Sequence, residues 1–120
     1  MASAPPKFLT RRSFQAGHQI FAQGQIGTRA YVVETGEVEI VRIQGSTRRT
    51  LGKIGPGGIF GEMALVDDQP RMADAIALTH CTCMVITREQ FRAKVDGADP
   101  FVQALLRIFV RNIRSMVDLP

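Results

Sequence analysis

Short apolar runs separated by glycines occupy the chain from Phe14 to Thr87. Several runs are rich in β-branched residues, and in places polar and apolar residues alternate, as at Val38, Glu39 and Ile40. Closely spaced short strands with glycine turns are typical of an all-β barrel or sandwich. We therefore predict a β domain over residues 14–87, preceded by a flexible lead-in at residues 1–13.

Two β-hairpins are predicted within this region. Residues 31–33 and 38–41 are the β-branched arms of the first, around a turn that contains Gly36. The second joins residues 41–43 to residues 50–51, with its tip at residues 44–46.

After Thr87 the apolar period changes from two to about 3.6, which predicts helices over residues 88–120. Thr87 and Gln90 have the spacing of a capping box, and Asp99-Pro100 is a second helix start. The last helix should run from about residue 100 to residue 116. One polar stripe lies along it, formed by Gln103, Arg107, Arg111 and Arg114.

Most other positions of this last helix are apolar, so it needs burial on more than one side. We expect a partner along residues 100–117, either a second copy in a homodimer or an effector protein. The alternative is that the helix lies in a deep groove of its own domain.

With 120 residues, the chain is long enough for one domain around one core. Hydrophobic residues make up 45% and charged residues 22%, which is atypical of disordered chains. The net charge of +4 favours an anionic partner. The sequence contains no apolar stretch of membrane-spanning length and no signal-peptide pattern, and its two cysteines fit a reducing compartment, so we expect a cytoplasmic protein.

The most specific segment is Gly-Gly-Ile-Phe-Gly-Glu-Met-Ala-Leu at residues 57–65, followed by Arg71. A short helical turn after the glycines would direct free backbone amides at an anion. A guanidinium that returns to the same place completes a phosphate site. Glu62 would be repelled by a phosphate unless it accepts a hydrogen bond from a sugar hydroxyl, so the combination points to a nucleotide. Alternatively, Glu62 and Arg71 form a surface ion pair.

Phe-Gly-Glu-Met-Ala-Leu at residues 60–65 and Arg-Met-Ala at residues 71–73 resemble the phosphate-binding cassette of the cyclic nucleotide-binding domain family. Residues 17–24, 30–38 and 87–91 are similar to other signatures of that family. The resemblance covers about residues 10–117. It implies a mainly β fold, an eight-stranded jelly-roll β-barrel with a short cassette helix and C-terminal helices. The cassette would occupy residues 57–73 of a single domain.

The resemblance also implies ligand-binding residues. The Gly61 backbone and the Glu62 carboxylate would hold the ribose 2′-hydroxyl, and the Ala64 amide and the Arg71 guanidinium would hold the cyclic phosphate. Met63, Met72 and Ala73 complete the set. In the family the C-terminal helix closes over the base, which makes Arg107 or Arg111 a capping candidate.

Met72 departs from the common family pattern, which has Ser or Thr after the arginine. A thioether cannot donate the hydrogen bond of a hydroxyl. In family terms this favours cAMP over cGMP as the ligand, but it leaves open another nucleotide or a relict pocket.

Other chemistries have weaker support. His80, Cys81 and Cys83 are too few for a zinc site, so we expect no metal. Because no nucleophile–base pattern is evident, we expect a binding module, not an enzyme. We expect no direct DNA binding, because the chain has no room for a helix-turn-helix after residue 117. The function predicted is a cAMP-binding regulatory domain that relays binding through its C-terminal helix. The alternatives are a nucleotide-free interaction domain and a regulatory fragment of a transcription factor or channel.

Overall fold

A computed structural model describes residues 10–117 of the chain, and residues 1–9 and 118–120 lie outside the described part. Eight strands and three helices follow one another in this order: β1 (Thr10–Phe14), β2 (Gln19–Phe21), β3 (Arg29–Thr35), β4 (Val38–Gln44), β5 (Thr47–Ile54), β6 (Ile59–Phe60), α1 (Met63–Asp67), β7 (Asp74–Ala77), β8 (Cys81–Thr87), α2 (Arg88–Asp96) and α3 (Pro100–Val117).

The strands form two antiparallel four-stranded sheets, in the orders β1-β8-β3-β6 and β2-β7-β4-β5. Alternate side chains of each sheet point into a common core, as Cys81, Cys83 and Val85 do in β8. The core also contains Val33 from the first sheet and Val38 from the second, both almost fully buried. The predicted mainly β, jelly-roll-like fold is confirmed, although the strands form two sheets and not one closed barrel.

The first predicted hairpin is wrong. β3 pairs with β8 and β6, whereas β4 pairs with β5 and β7, so the turn at Gly36 carries the chain from one sheet to the other. Gly36 has a φ of 89°, and a Cβ there would lie 2.4 Å from the carbonyl oxygen of His80. The chain therefore passes from one sheet to the other at Gly36, a position where only a residue without a side chain fits. The second predicted hairpin forms as β4 and β5.

The chain enters the first sheet earlier than the sequence predicted. β1 begins at Thr10 and pairs along its whole length with β8, from Thr10 opposite Val85 to Phe14 opposite Cys81. Residues 10–13 therefore belong to a strand and not to a flexible lead-in. All four side chains are polar and exposed, and two of them are arginines, so no alternation of apolar and polar residues marked this strand in the sequence. The remainder of the predicted lead-in, residues 1–9, lies outside the described residues.

The helices begin at the caps that the sequence predicts. Thr87 Oγ1 accepts a hydrogen bond from the Gln90 amide at 3.2 Å, and the Thr87 amide donates to Gln90 Oε1 at 2.9 Å. Asp99 Oδ1 accepts from the amide of Phe101 at 2.8 Å at the start of α3. Among residues 10–117, no helix is long and apolar enough to cross a membrane.

Most of the apolar surface of α3 is uncovered. Val110 is its one buried side chain, whereas Phe101, Phe109 and Met116 are 70%, 54% and 60% exposed. The alternative that this helix lies in a deep groove of its own domain is therefore wrong. α3 rests on the domain along one side only and presents an apolar face to its surroundings.

Candidate functional site

A cavity of about 160 Å³ lies beside α1, where both sheets and α3 contribute to its walls. All seven residues that the sequence analysis proposed as ligand contacts line it, namely Gly61, Glu62, Met63, Ala64, Arg71, Met72 and Ala73. The fold thus brings the two halves of the proposed cassette, which are separated by residues 66–70, to one place. The other walls are largely apolar side chains that were not predicted as ligand contacts: Phe21, Ile40, Ile54, Ile59 and Phe60.

Arg71 lines the cavity and is only 6% exposed. Its Nη1 donates to the carbonyl oxygen of Gly61 and its Nη2 to that of Arg29, both at 2.6 Å. Two of the five N–H donors of the guanidinium are thereby used, which leaves three. Among the described residues, no carboxylate lies within ion-pair distance of Arg71.

The segment between β2 and β3 encloses this side chain. The Gly24 amide donates to the Arg71 carbonyl, and the Arg71 amide donates to the Gln25 carbonyl, both at 2.8 Å. The guanidinium carbon is 3.9 Å from the centroid of the Phe21 ring. A Cβ on Gly27 would lie 2.5 Å from the same carbon, so the guanidinium occupies the space that a side chain at position 27 would need. This role of Gly27 could not be predicted from the sequence, because it depends on a contact with a residue 44 positions further along the chain.

Glu62 and Arg71 influence each other without direct contact. Burial raises the pKa of the Glu62 carboxyl, against the lowering effects of its own backbone amide and of the Arg71 charge. Burial lowers the pKa of Arg71, and Tyr31 and Glu62 oppose that shift. The alternative of a surface ion pair between the two is therefore wrong, because Arg71 is buried and the pair does not form.

The first turn of α1 is set by buried apolar anchors and not by a side-chain cap. Leu65 is fully buried, and the amides of Leu65 and Val66 donate to the Glu62 carbonyl at 3.0 and 3.2 Å. Glu62 occupies the N-cap position, but its side chain makes no capping hydrogen bond, so its carboxylate is available at the cavity wall. The Ala64 amide precedes the first hydrogen bonds of the turn, as the leading amides of a helix do.

Met72 is half-buried and contributes to the cavity wall. Its carbonyl oxygen accepts a hydrogen bond from Arg42 Nη1 of β4 at 2.5 Å, which fixes the backbone immediately after Arg71. Ala73, next to it, is 3% exposed. The small side chain at position 73 and the thioether at position 72 leave this wall without a hydroxyl donor.

Arg114 is the residue by which α3 reaches the cavity. Its guanidinium binds the Asp67 carboxylate at the end of α1, and its Nη1 donates to the Pro70 carbonyl at 3.1 Å. Arg107 and Arg111, which the sequence analysis put forward as capping candidates, line a separate surface groove. The stripe of arginines was evident in the sequence, but the member that faces the cavity depends on where α3 crosses α1.

The end of α1 is also connected to α2. Asp68, in a left-handed conformation with a φ of 57°, accepts hydrogen bonds from Arg88 and from Arg92 Nη2, the latter at 2.6 Å. Hydrogen bonds from Arg88 and then Arg92 lower the pKa of the Asp68 carboxyl. Two consecutive aspartates thus join the cassette helix to both C-terminal helices.

The family model described as "Cyclic nucleotide-binding domain" matches residues 11–97. The chain belongs to the cyclic nucleotide-binding domain family. The match covers most of the described residues and includes every part of the cavity except the Arg114 side of α3.

A cyclic AMP receptor protein of Thermus thermophilus is 33% identical over 109 residues, which are 90% of this chain and 50% of that protein. Among solved structures, the cAMP-bound form of the EAL enzyme Bd1971 matches with a TM-score of 0.84 and 34% identity, over 88% of this chain and 28% of that one. Its cGMP-bound form matches with a TM-score of 0.85 and 33% identity, over 90% and 29%. The chain therefore spans half or less of the length of these relatives.

The cysteines next to His80 have no metal-site geometry. Cys81 and Cys83 are both buried in the core, whereas His80 is exposed. Burial raises the pKa of the Cys83 thiol to about 11. In the part of the chain that the structure describes, no three His, Cys, Asp or Glu side chains are grouped to hold a metal ion.

Proposed function

We propose that the chain is a regulatory module that binds a cyclic nucleotide in the cavity beside α1 and acts by binding, not by catalysis. The observation that carries this proposal is Arg71, a guanidinium 6% exposed without a carboxylate partner among the described residues. Burying a charge without a counter-charge is costly, so a protein that retains such an arginine gains something from it. An anionic ligand at the adjacent cavity supplies the missing charge.

The walls divide into parts that match the parts of a nucleotide. Arg71 and the Ala64 amide would bind the cyclic phosphate, with three guanidinium donors still available for its oxygens. Glu62, half-buried and not used as a cap, would accept a hydrogen bond from the ribose 2′-hydroxyl next to the Gly61 backbone. The apolar side chains on the opposite walls would enclose the base, with Met63, Met72 and Ala73 bordering the phosphate and sugar.

Within this proposal we favour cAMP over cGMP. The 2-amino group and the O6 carbonyl of guanine need hydrogen-bond partners, and a hydroxyl after the arginine would provide one. Met72 has none, and the neighbouring cavity walls are apolar. Leaving a polar group of a ligand unpaired in an apolar site costs about 1–3 kcal/mol, which disfavours guanine.

The same geometry supports a relay through the C-terminal helices. Asp67 and Asp68, at the end of α1, hold Arg114 of α3 and Arg88 and Arg92 of α2. A ligand that binds better to one position of α1 shifts the whole population toward that position. Any movement of α1 would therefore displace the aspartates that α2 and α3 bind.

The partner that we propose for α3 is a second copy of this chain. Residues Val102, Leu105, Phe109, Asn112 and Met116 follow the alternating three- and four-residue spacing of a coiled-coil seam. Four of the five are apolar, and the uncovered face of α3 contains them. Binding of an effector protein by the same face is the alternative. The two free buried thiols favour a cytoplasmic setting.

The half-length match to a receptor protein supports a second candidate, in which the chain is the regulatory part of a transcription factor. In a gel-shift assay with random-sequence DNA, the 120-residue chain should not bind if DNA recognition belongs to another segment. Binding in that assay would contradict the expectation of no direct DNA contact.

Calorimetric titration with cAMP, cGMP and 2′-deoxy-cAMP tests the proposal. We expect cAMP to bind in a 1:1 ratio, cGMP to bind at least about tenfold more weakly, and the 2′-deoxy analogue to bind distinctly more weakly than cAMP. Arg71→Ala should lose most of the affinity, whereas Arg111→Ala should retain it. Unchanged cAMP affinity in Arg71→Ala would refute the site, and no binding of any nucleotide by the wild-type chain would favour a nucleotide-free interaction domain.

A further inference from the structure

A second concave surface lies on the other side of the end of α1, between α1, α2 and α3. It is a groove of about 630 Å³ that is separate from the cavity except for a shared wall at Arg114. Its charged lining consists of four arginines and two aspartates: Arg92, Arg107, Arg111, Arg114, Asp67 and Asp68. The lining therefore carries two more positive than negative charges.

The ion pairs of the groove leave two of its arginines uncompensated. Asp67 is bound by Arg114, and Asp68 is bound by Arg92 and by Arg88 from outside the groove. Arg107 and Arg111 are exposed, and neither has a hydrogen-bond or ion-pair partner among residues 10–117. The excess positive charge of the groove is thus carried by these two side chains.

The positions of Arg107 and Arg111 favour joint action. They are four residues apart on α3, so their Cβ atoms lie about 6 Å apart on one face of the helix. At 100° per residue, this face is roughly opposite the seam formed by Val102, Phe109 and Met116, so a dimer through the seam would leave the groove open. Two planar guanidinium forks on one face of a helix can each bind two oxygens of a tetrahedral anion.

We propose that the groove between α1, α2 and α3 binds a small multivalent phosphate anion, held by Arg107 and Arg111 on α3 and approached by Arg92 on α2. An anion with two or more negative charges would balance the excess charge of the lining. A monovalent anion would balance only one of the two excess positive charges, so it should bind more weakly. This site is distinct from the nucleotide cavity, and the proposal does not depend on cyclic nucleotide binding.

The probe for this site is pyrophosphate, titrated calorimetrically into the 120-residue chain in metal-free buffer at moderate ionic strength. We expect one saturable binding event. Arg107→Gln with Arg111→Gln should weaken it at least about tenfold, because two charge-assisted contacts are lost. The matched control is Arg48→Gln with Lys53→Gln, which removes two exposed positive charges from β5 and should change the affinity less than about twofold.

A third variant, Arg71→Gln, separates the groove from the nucleotide cavity and should leave pyrophosphate binding unchanged. The proposal is overturned if the wild-type chain gives no saturable heat, if both double variants lose affinity equally, or if Arg71→Gln alone abolishes binding. Since Arg107 and Arg111 are exposed and have no partner among residues 10–117, their double variant should keep the wild-type melting temperature. If the double variant melts at a lower temperature, a second double variant, Arg107→Lys with Arg111→Lys, tests the site instead. It keeps both charges but loses the planar guanidinium forks, so its affinity for pyrophosphate should fall below that of the wild-type chain.

Discussion

Arg114 of α3 and Asp67 of α1 form a two-point ion pair, with Nε 2.5 Å from Oδ2 and Nη2 3.1 Å from Oδ1. The side chains of both residues are about one-fifth exposed, so water screens the pair only partly. The same guanidinium also binds the Pro70 carbonyl, one residue before Arg71. One side chain therefore holds α3 against both the end of the cassette helix and the segment that leads to the buried guanidinium.

We predict that Arg114→Gln uncouples α3 from the cassette. The variant should lose roughly 1–2 kcal/mol of stability, because a partly buried charged hydrogen-bonding pair is broken. Hydrogen exchange of the α3 amides should be faster in the variant than in the wild-type chain. Adding cAMP should slow this exchange in the wild-type chain but not in the variant. The control is Arg111→Gln on the same helix, which has no partner among the described residues and should exchange like the wild-type chain. Equal exchange in the two variants would show that α3 is held by other contacts.

Gly27→Ala should displace Arg71. The φ of Gly27 is not in the left-handed region, so alanine fits the backbone, and the effect comes from the added Cβ 2.5 Å from the guanidinium carbon. We expect a loss of about 1–3 kcal/mol in stability from overpacking and a fall in cAMP affinity. Chemical denaturation and calorimetry measure the two effects.

Gly52→Ala is the matched control for Gly27→Ala, since Gly52 also has an ordinary φ and a Cβ there would meet nothing within 4 Å. It should keep full cAMP affinity. If Gly27→Ala binds cAMP as tightly as Gly52→Ala does, then the orientation of Arg71 in this structure is not the one that the ligand requires.

The contrast between local and long-range features explains how much could be predicted from the sequence. The capping box at Thr87 and the glycine-flanked turn at Gly61 depend on residues a few positions apart, and both lie where the pattern indicated. The crossing at Gly36 and the packing of Gly27 against Arg71 depend on which distant strands pair. The local period of apolar residues carries no information about that pairing.

The spacing of charged residues on a helix likewise predicts which of them share a face, but it does not predict which element that face contacts. The stripe of Arg107, Arg111 and Arg114 was evident from spacing alone, yet only the crossing of α3 over α1 decides that Arg114 meets Asp67. The family resemblance identified the cassette because its residues lie in two short contiguous segments. The apolar walls at Ile40 and Ile54 come from β4 and β5, two strands that lie outside the cassette.

Glu62→Gln should stabilise the domain at neutral pH. Burial raises the folded-state pKa of Glu62 above its ordinary value of 4.5, so the ionised carboxylate costs stability above that raised pKa. The cost is relieved as the pH falls through the raised pKa toward 4.5. The variant should therefore have the higher melting temperature at pH 7, and the difference should vanish at about pH 4.5.

Glu34→Gln provides a control of opposite sign for the Glu62 experiment. A hydrogen bond from Arg11 lowers the pKa of Glu34, so its stabilising contribution is present above the unfolded-state pKa and is lost as the pH falls through the folded-state value. This variant should be the less stable one at pH 7. A Glu62→Gln variant less stable than the wild-type chain at neutral pH would mean that attraction to Arg71 outweighs the cost of burial.

The uncovered face of α3 predicts self-association. Phe109 is 54% exposed at the centre of the seam, between Leu105 and Asn112, and Phe109→Glu would place a charge where two copies meet. Sedimentation velocity over a range of concentrations should show a dimer for the wild-type chain and a monomer for this variant. Ile26→Glu, which changes a 70% exposed apolar residue in the loop before β3, is the control and should remain dimeric.

Asn112→Leu tests the seam in the other direction. A polar residue in an apolar seam costs stability, so the dimer of this variant should dissociate at a lower concentration than the wild-type dimer. A wild-type chain that stays monomeric at every concentration, with Asn112→Leu equally monomeric, would leave an effector protein as the partner of this face.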